Sequence, residues 1–280
     1  MLREFDEQEG HRRPPGRGRA LWEWLRFLLV FVLLALALRS FVIAPFSIPS
    51  RSMTPTLMVG DYLFTAKWSY GYSRYSLPFS PALFDGRIGE DRPARGDIVV
   101  FRAPADPAIA YVKRVIGLPG DRVAVEGGRV ILNGEPVPRT RIADFLEPLE
   151  EAGDCRPGPG RELMPDEDAE GRPVCRTPRY RETLPGGRSY TVLDAGDVPA
   201  DDFAEVTVPE GGYFLLGDDR DRSADSRFEA RRGGGVGIVP EQYLVGKALV
   251  VFWSSDGTAS WWNPASWFTA TRWNRIGESF

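Results

Sequence analysis

Two serines at i and i+2, Ser50 and Ser52, stand among prolines in PFSIPSRSMTPTLMVGD, residues 45–61. A serine hydroxyl is a weak nucleophile until a neighbouring base accepts its proton. Imidazole cannot be that base. The single histidine, His11, lies in the polar stretch ahead of the first apolar run, which leaves no Ser-His-Asp triad, no Cys-His pair and no multi-histidine metal site. A hydrolase built on this chain needs a lysine or a carboxylate as base, or a metal held mainly by carboxylates. Lysine is scarce, with Lys67, Lys113 and Lys247 the only three among 35 basic residues. Lys113 lies between Val112 and Arg114 in the strand-like run Tyr111 to Ile116. Lys67, beside Trp68 and Tyr70, reads as a snorkelling or surface residue, and Lys247 lies in Val-Gly-Lys-Ala-Leu-Val.

An amine serves as base only after losing its proton. In water a lysine has a pKa near 10.4, so about 1 molecule in 2,500 carries the free amine at pH 7. Lowering that value to about 7 costs roughly 4.6 kcal/mol, and burial among apolar groups shifts a lysine by about 3–5 pK units. Burial alone therefore suffices. A nearby carboxylate would stabilise the ammonium and defeat the shift, so Asp225 is expected to pair with another group.

The elements that must hold these residues are mostly strands. From Pro45 onward the runs Asp97–Phe101, Tyr111–Ile116, Val123–Glu126, Arg129–Leu132, Tyr213–Leu216 and Ala248–Phe252 have the length and β-branched character of strands. Gly127-Gly128 marks a hairpin and Asn133-Gly134 a second tight turn. Between about 139 and 205 the chain is charged and rich in Gly and Pro, and few regular elements are expected there. Cys155 and Cys175 fall in this stretch. Without histidine neighbours they make a poor zinc site; a disulfide stapling the long insertion is expected in an oxidising compartment, with spectator thiols as the alternative.

Residues 21–44 read LWEWLRFLLVFVLLALALRSFVIA. From Leu21 to Phe41 the segment is long enough to cross a bilayer, with Glu23, Arg26 and Arg39 near its ends, where they can snorkel, and Trp22 and Trp24 suited to the interface. A cleaved signal sequence and a buried core helix are the competing readings. Arg12, Arg13, Arg17, Arg19 and Arg26 stand before the apolar core, and just after it come only Arg39 and Arg51, which places the N-terminus in the cytoplasm and the bulk of the chain outside. A formal net charge of −4 and a pI near 5.3 argue against nucleic acid as the main partner. The reading is a tail 1–20, an anchor 21–44 and a domain 45–280, with its core at about 45–122 and 210–280 and an insertion at about 123–209. Five C-terminal tryptophans, Trp253, Trp261, Trp262, Trp267 and Trp273, suit either the membrane interface or packing on the β core.

The serine box has company. RGDIVVF at 95–101, YVKRVIGLPGD at 111–121 and GDDRDRSADSR at 217–227 follow it in that order, after the anchor. In this the chain resembles the type I signal peptidases, whose boxes are Ser-Met-x-Pro-Thr-Leu, Arg-Gly-Asp-Ile-Val, Lys-Arg-x-x-Gly-x-Pro-Gly-Asp and Gly-Asp-Asn-Arg…Ser-x-Asp-Ser-Arg. The likeness covers about 45–123 and 211–253. It implies a mainly β, membrane-anchored catalytic domain of antiparallel sheets, with an inserted, partly irregular β region and one N-terminal transmembrane helix. It further implies Ser52 as nucleophile, Lys113 as general base, Ser50 and the Ser52 N–H lining an oxyanion hole, and Ser223 orienting the lysine. Arg227 or Arg114 would take Asp225, and Lys247, in a segment that matches the family, would be structural. Phe46, Ile48, Leu57, Tyr111 and Val112 would form the shallow apolar pockets for an extended substrate with small residues before the cut.

The partners so implied are signal-peptide-bearing preproteins and the lipid bilayer, at a single-pass site in the cytoplasmic membrane with the catalytic domain outside; no cofactor or metal is called for. Asp219 and Arg222 depart from the box, where asparagine is usual at the first and frequent at the second. For Asp218, Asp219, Asp221 and Asp225 a solvated turn is expected, with calcium ligation as the rival. The RGD at 95–97 leads straight into a strand, which counts against an adhesion motif. Two other functional readings are a specialised pilin- or conjugation-associated maturation peptidase with the same dyad, and a non-catalytic anchored scaffold.

Overall fold

The structure is a computed structural model that describes residues 17–280 except 79, 83, 90, 153, 154, 156–161 and 261. His11, Arg12, Arg13 and Trp261, on which part of the sequence reading rests, lie outside the described residues.

Helix α1 (Arg17–Phe41) has Leu, Phe and Val exposed on every side, and within it Leu21–Phe41 has a mean hydropathy of 2.1 with none of that window buried. A core helix would be covered, so that alternative fails. At 25 residues the helix is about 37 Å long, enough to cross a bilayer.

The chain then turns directly into strands. β1 (Ile43–Ser47) and β2 (Asp61–Ala66) pair with Phe46 opposite Leu63, and the loop between them carries Ser50 and Ser52. A short ribbon, β3 (Tyr72–Ser73) with β4 (Arg87–Ile88), precedes the hairpin β5 (Ile98–Ala103) and β6 (Asp106–Gly117). β7 (Arg122–Glu126), β8 (Arg129–Leu132) and β9 (Glu135–Pro136) form a meander. Its turns fall at Gly127-Gly128 and Asn133-Gly134, all four residues at positive φ, as expected of tight hairpins.

β10 (Arg139–Pro148), the short α2 (Leu149–Ala152), β11 (Met164–Glu167), β12 (Pro173–Thr183) and β13 (Ser189–Leu193) follow. β14 (Phe203–Thr207) returns to β7, and β15 (Gly212–Leu216), β16 (Val239–Pro240) and β17 (Leu244–Ser254) complete the set before α3 (Ala265–Thr269).

The strands make an antiparallel seven-stranded sheet in the order β1-β2-β17-β5-β6-β15-β16, a four-stranded sheet β14-β7-β8-β9, and another in which β12 pairs with β10, β11 and β13. The insertion is more regular than its composition suggests. β10 and β12 run for 10 and 11 residues, because arginines and acids that read as loop on composition form ion pairs across the strands, Arg176 with Asp166 among them. Cys155 and Cys175 are bonded to each other there, with Cα atoms 5.8 Å apart.

Three apolar clusters fix the layers. Ile48, Met53, Leu57, Leu63, Ile98 and Val100 pack under the serine loop. Val99, Phe101, Val115, Tyr213 and Leu215 fill a second cluster, and Ile116, Val123, Val130, Leu184, Val192 and Phe214 join all three sheets. At the C-terminus the two readings of the tryptophans divide. Trp253 and Trp273 meet edge to face at 6.4 Å, whereas Trp262 is 97% exposed.

Candidate active site

The serine loop is held from beneath. Met53 and Leu57 are buried in the core, Ile48 N–H donates to Asp61 O at 2.8 Å, and Leu57 N–H donates to Met53 O at 2.8 Å. Arg275 clamps Asp61, whose Oδ2 also accepts from Met58 N–H at 2.8 Å. Ser52 therefore has little freedom to move and faces β6. Lys113, opposite Val99 in the register, begins the buried half of that strand. Its Nζ donates to Ser52 Oγ at 2.5 Å. Lys113 is 1% exposed and Ser52 8%. Ser50 Oγ lies 3.4 Å from Ser52 Oγ, on the exposed side.

Burial pushes the Lys113 amine down to about 8, against the pull of Asp225 and Asp218. Both carboxylates are claimed by guanidinium groups. Arg227 grips Asp225 through Nε at 2.9 Å and Nη2 at 3.0 Å, as one of the two expected pairings has it. Arg114 instead takes Asp218, at 2.8 and 2.6 Å, and stacks on Tyr190 with 4.3 Å to the ring centroid. Such bidentate pairs cancel much of the negative field that would hold the proton on the lysine.

The aspartate-rich box is no solvated turn. Asp218, Asp219 and Asp225 are buried, because the box folds beneath the serine loop: Asp219 N–H donates to Ser52 O at 3.2 Å. Burial pushes the Asp219 carboxyl up to about 7, with Arg222 and Arg51 opposing. Gly217 explains the closeness, since a Cβ there would sit 2.2 Å from Ser223 Oγ and 2.4 Å from Ser52 O.

Ser223 is thus beside the serine loop, but its buried Oγ makes no hydrogen bond among the described residues. The hydrogen bond expected between it and Lys113 is not formed here; the amine turns to Ser52 instead. Asp194, Asp201 and Asp221 bring carboxylate oxygens within 4.8 Å of one another and are the candidate cation ligands among the described residues. Arg139 already binds Asp194 at 2.5 Å.

A cleft of about 480 Å³ opens on both serines. Phe46, Ile48, Tyr111 and Val112 line it, as expected, together with Ala110, Ile109, Arg39 and Arg102. Leu57 is a correction: it is fully buried in the core under the loop and does not line the cleft. Lys67 is a second. It is buried rather than superficial, its ammonium donates to Ser76 O, and burial first, then Arg39 and Arg102, push it down to about 8. Lys247 is structural as expected, its Nζ 2.7 Å from Asp97 Oδ1.

Two supporting residues escaped the sequence reading, and a third, Asp218, reads there only as part of a solvated turn or calcium site. Glu147 of β10 binds Arg51, the residue between the two serines, through Nη1 at 2.8 Å and through Nη2. Glu182 of β12 takes the fully buried Arg220 at 3.0 and 2.5 Å. Contacts 96 and 38 residues apart leave no local signal. Asp218 could have been found, since it lies in the same box as Ser223 and beside a strand bearing Arg114.

A cleft leading to a hydroxyl, with a buried amine hydrogen-bonded to it, is a site of the hydrolytic class. The chain matches the family described as signal peptidase, peptidase S26, over residues 21–253. It is similar to a signal peptidase I of Rickettsia canadensis (strain McKiel), 36% identical over 274 residues and 91% of each chain. A signal peptidase I of Rickettsia prowazekii (strain Madrid E) is 35% identical over 241 residues, 83% of this chain and 79% of that one. A solved signal peptidase I from Enterococcus faecalis V583 is 24% identical, with a TM-score of 0.29, and covers 56% of this chain and 97% of that one. The chain belongs to the signal peptidase family, peptidase S26. With its exposed apolar helix, it is a membrane-anchored peptidase.

Proposed function

We propose that this chain is an endopeptidase that removes N-terminal signal peptides from exported preproteins after small residues, working at the outer face of the cytoplasmic membrane with a serine–lysine dyad. The observation that carries the reading is the 2.5 Å contact between Lys113 Nζ and Ser52 Oγ inside a buried site. With a neutral amine, Lys113 takes the hydroxyl proton as Ser52 Oγ attacks the scissile carbonyl. The negative charge that develops on the carbonyl oxygen is stabilised by the Ser50 hydroxyl and the Ser52 N–H. Lys113 then passes its proton to the leaving amine, and the signal peptide stays as an ester on Ser52. Water, deprotonated by Lys113, attacks that ester, and the serine recovers its proton. Ser223, Arg114, Asp225 and Arg227 act by holding the loops and the field around the amine.

Substrate geometry supports the same reading. β1 is the edge strand of its sheet, and its residues Pro45 to Ser47 line one wall of the cleft opposite Ile109 to Val112. An extended peptide lying between them would meet Phe46, Ile48 and Val112, which on this reading select small side chains. The arginine excess before the apolar helix orients the tail 1–20 inward and the domain 45–280 outward. Ser52, eight residues past Ala44, is at most roughly 28 Å from it, so cleavage happens close to the bilayer. The test is processing of a precursor carrying an Ala-x-Ala site. Ser52→Ala and Lys113→Ala are expected to abolish cleavage with the fold intact, and full activity of either would refute the dyad.

A further inference from the structure

A second cavity, of about 740 Å³, lies where α1 meets the β domain. Leu36 and Arg39 of α1, Arg74, Tyr75, Arg102 and Pro107 are in its lining. Arg39 and Arg102 also line the cleft beside Ser52, so they stand between the two spaces. Among the described residues the lining contains no acidic one. The nearest carboxylates are weakly placed or already engaged: Asp85 is 3.9 Å from Arg74 and its side chain 98% exposed, and Asp106 is bound to Arg232 at 2.7 Å.

The positive charges here are out of balance. Among the described residues Arg39 has no ion pair, and Arg102 makes a 3.3 Å hydrogen bond to Ala108 O while its buried Nε has no partner. Lys67 is buried nearby and is depressed by burial, then by Arg39 and Arg102, with no carboxylate opposing. Arg102 is lowered by burial and by Arg39, again with no carboxylate acting. Arg39 is exposed beside them. The half-buried Arg102 and the buried Lys67, however, carry charge of one sign against apolar walls, and such cations call for an anion from outside the chain. Guanidinium groups suit a phosphate in particular, because their planar donors can bind it two at a time. Leu36 belongs to the apolar span, which fixes where that phosphate comes from.

We propose that this cavity binds the phosphate headgroup of an anionic phospholipid, held by Arg39, Arg74 and Arg102, with the glycerol and upper acyl carbons against Leu36, Tyr75 and Pro107. A lipid so seated shares Arg39 and Arg102 with the cleft. The inference rests on α1 lying in a bilayer and not on the peptidase chemistry, and its readout involves no cleavage.

The test is native mass spectrometry of the detergent-purified full chain with equal amounts of phosphatidylglycerol and phosphatidylcholine. The wild type is expected to retain phosphatidylglycerol preferentially. Arg39→Gln and Arg102→Gln should each weaken that preference about fivefold, the effect of one headgroup-facing arginine. Arg102→Lys should keep most of it, which separates loss of charge from misfolding. Arg26→Gln, at the other end of the helix, should leave it unchanged. Equal retention of the two lipids by the wild type would overturn the proposal. So would an equal loss in Arg26→Gln, which would mean diffuse attraction along the helix. Displacement of phosphatidylglycerol by millimolar inorganic phosphate would mean a soluble anion site and would overturn the lipid assignment too.

Discussion

Replacing Lys113 by methionine separates what the amine does for chemistry from what it does to the fold. In the folded chain the amine sits at about 8, against an ordinary 10.5. At pH 7 that raises the fraction of free amine about 300-fold over an unperturbed lysine. The cleavage rate at low substrate should therefore rise about tenfold per pH unit below 8 and level off above it.

The linkage has a definite sign. Between the folded value of about 8 and the unfolded value near 10.5 the unfolded chain binds more protons, so stability rises with pH across that window. Below it the buried ammonium costs about 3 kcal/mol, falling to about 1 kcal/mol at pH 10. Lys113→Met removes this cost together with a hydrogen bond worth about 1 kcal/mol. The variant should be inactive, and at pH 7 about 2 kcal/mol more stable than wild type. At pH 10 the advantage should vanish. The assay is urea unfolding of the full chain in detergent at both pH values, alongside the pH–rate profile of the wild type. An inflection near 10, or a stability difference that does not change with pH, would refute the reasoning.

Three further outcomes follow from the same geometry. Gly217→Ala should cut cleavage by at least about 100-fold, because its Cβ would meet Ser223 Oγ at 2.2 Å and Ser52 O at 2.4 Å; a variant with wild-type kcat would mean that the serine loop tolerates displacement. Glu147→Gln should lower kcat about 10- to 100-fold through Arg51, with circular dichroism confirming the fold. Unchanged kinetics would show that the β10 contact does not position Ser52. Reducing the Cys155–Cys175 bond, which closes a loop across 20 positions, should destabilise the insertion by up to about 3 kcal/mol while cleavage persists; alkylation without reductant should label neither cysteine.

Much of this was legible locally. The strand runs and the Gly-Gly and Asn-Gly turns announce themselves through β-branched patterning and positive φ, and the structure has strands at each. Lys113 was legible because histidine is excluded from the work, lysines are few, and this one falls in the box that resembles the type I signal peptidases. What was not legible depends on long-range burial. Leu57 reads as a pocket residue by its place in the box, yet the loop turns its side chain into the core. Lys67 reads as superficial between aromatic neighbours, yet it is buried, with its ammonium on Ser76 O and the charges of Arg39 from α1 and Arg102 from β5 acting on it. Asp218 and Asp225 look like a polar turn until their arginines, one from β6, are seen to enclose them.

The insertion is the deepest case. Its composition is that of a loop, and a loop should be dispensable to the site. Three of its charged residues instead reach into the core: Glu147 binds Arg51, Glu182 binds Arg220, and Arg188 binds Asp97 at 2.6 Å. Glu147, Glu182, Arg220 and Asp97 are buried. Breaking a buried pair by removing one partner costs about 3–5 kcal/mol, because it strands the other charge away from water. A shortened insertion that lost β10 and β12 would take both acids away at once, Glu147 from Arg51 in the serine loop and Glu182 from the buried Arg220. The arginine-rich surface chemistry of this chain is thus continuous with its site: guanidinium groups, which never lose their charge at working pH, hold Asp218 and Asp225, the two carboxylates that pull hardest on Lys113, and that leaves the lysine beside Ser52 free to titrate.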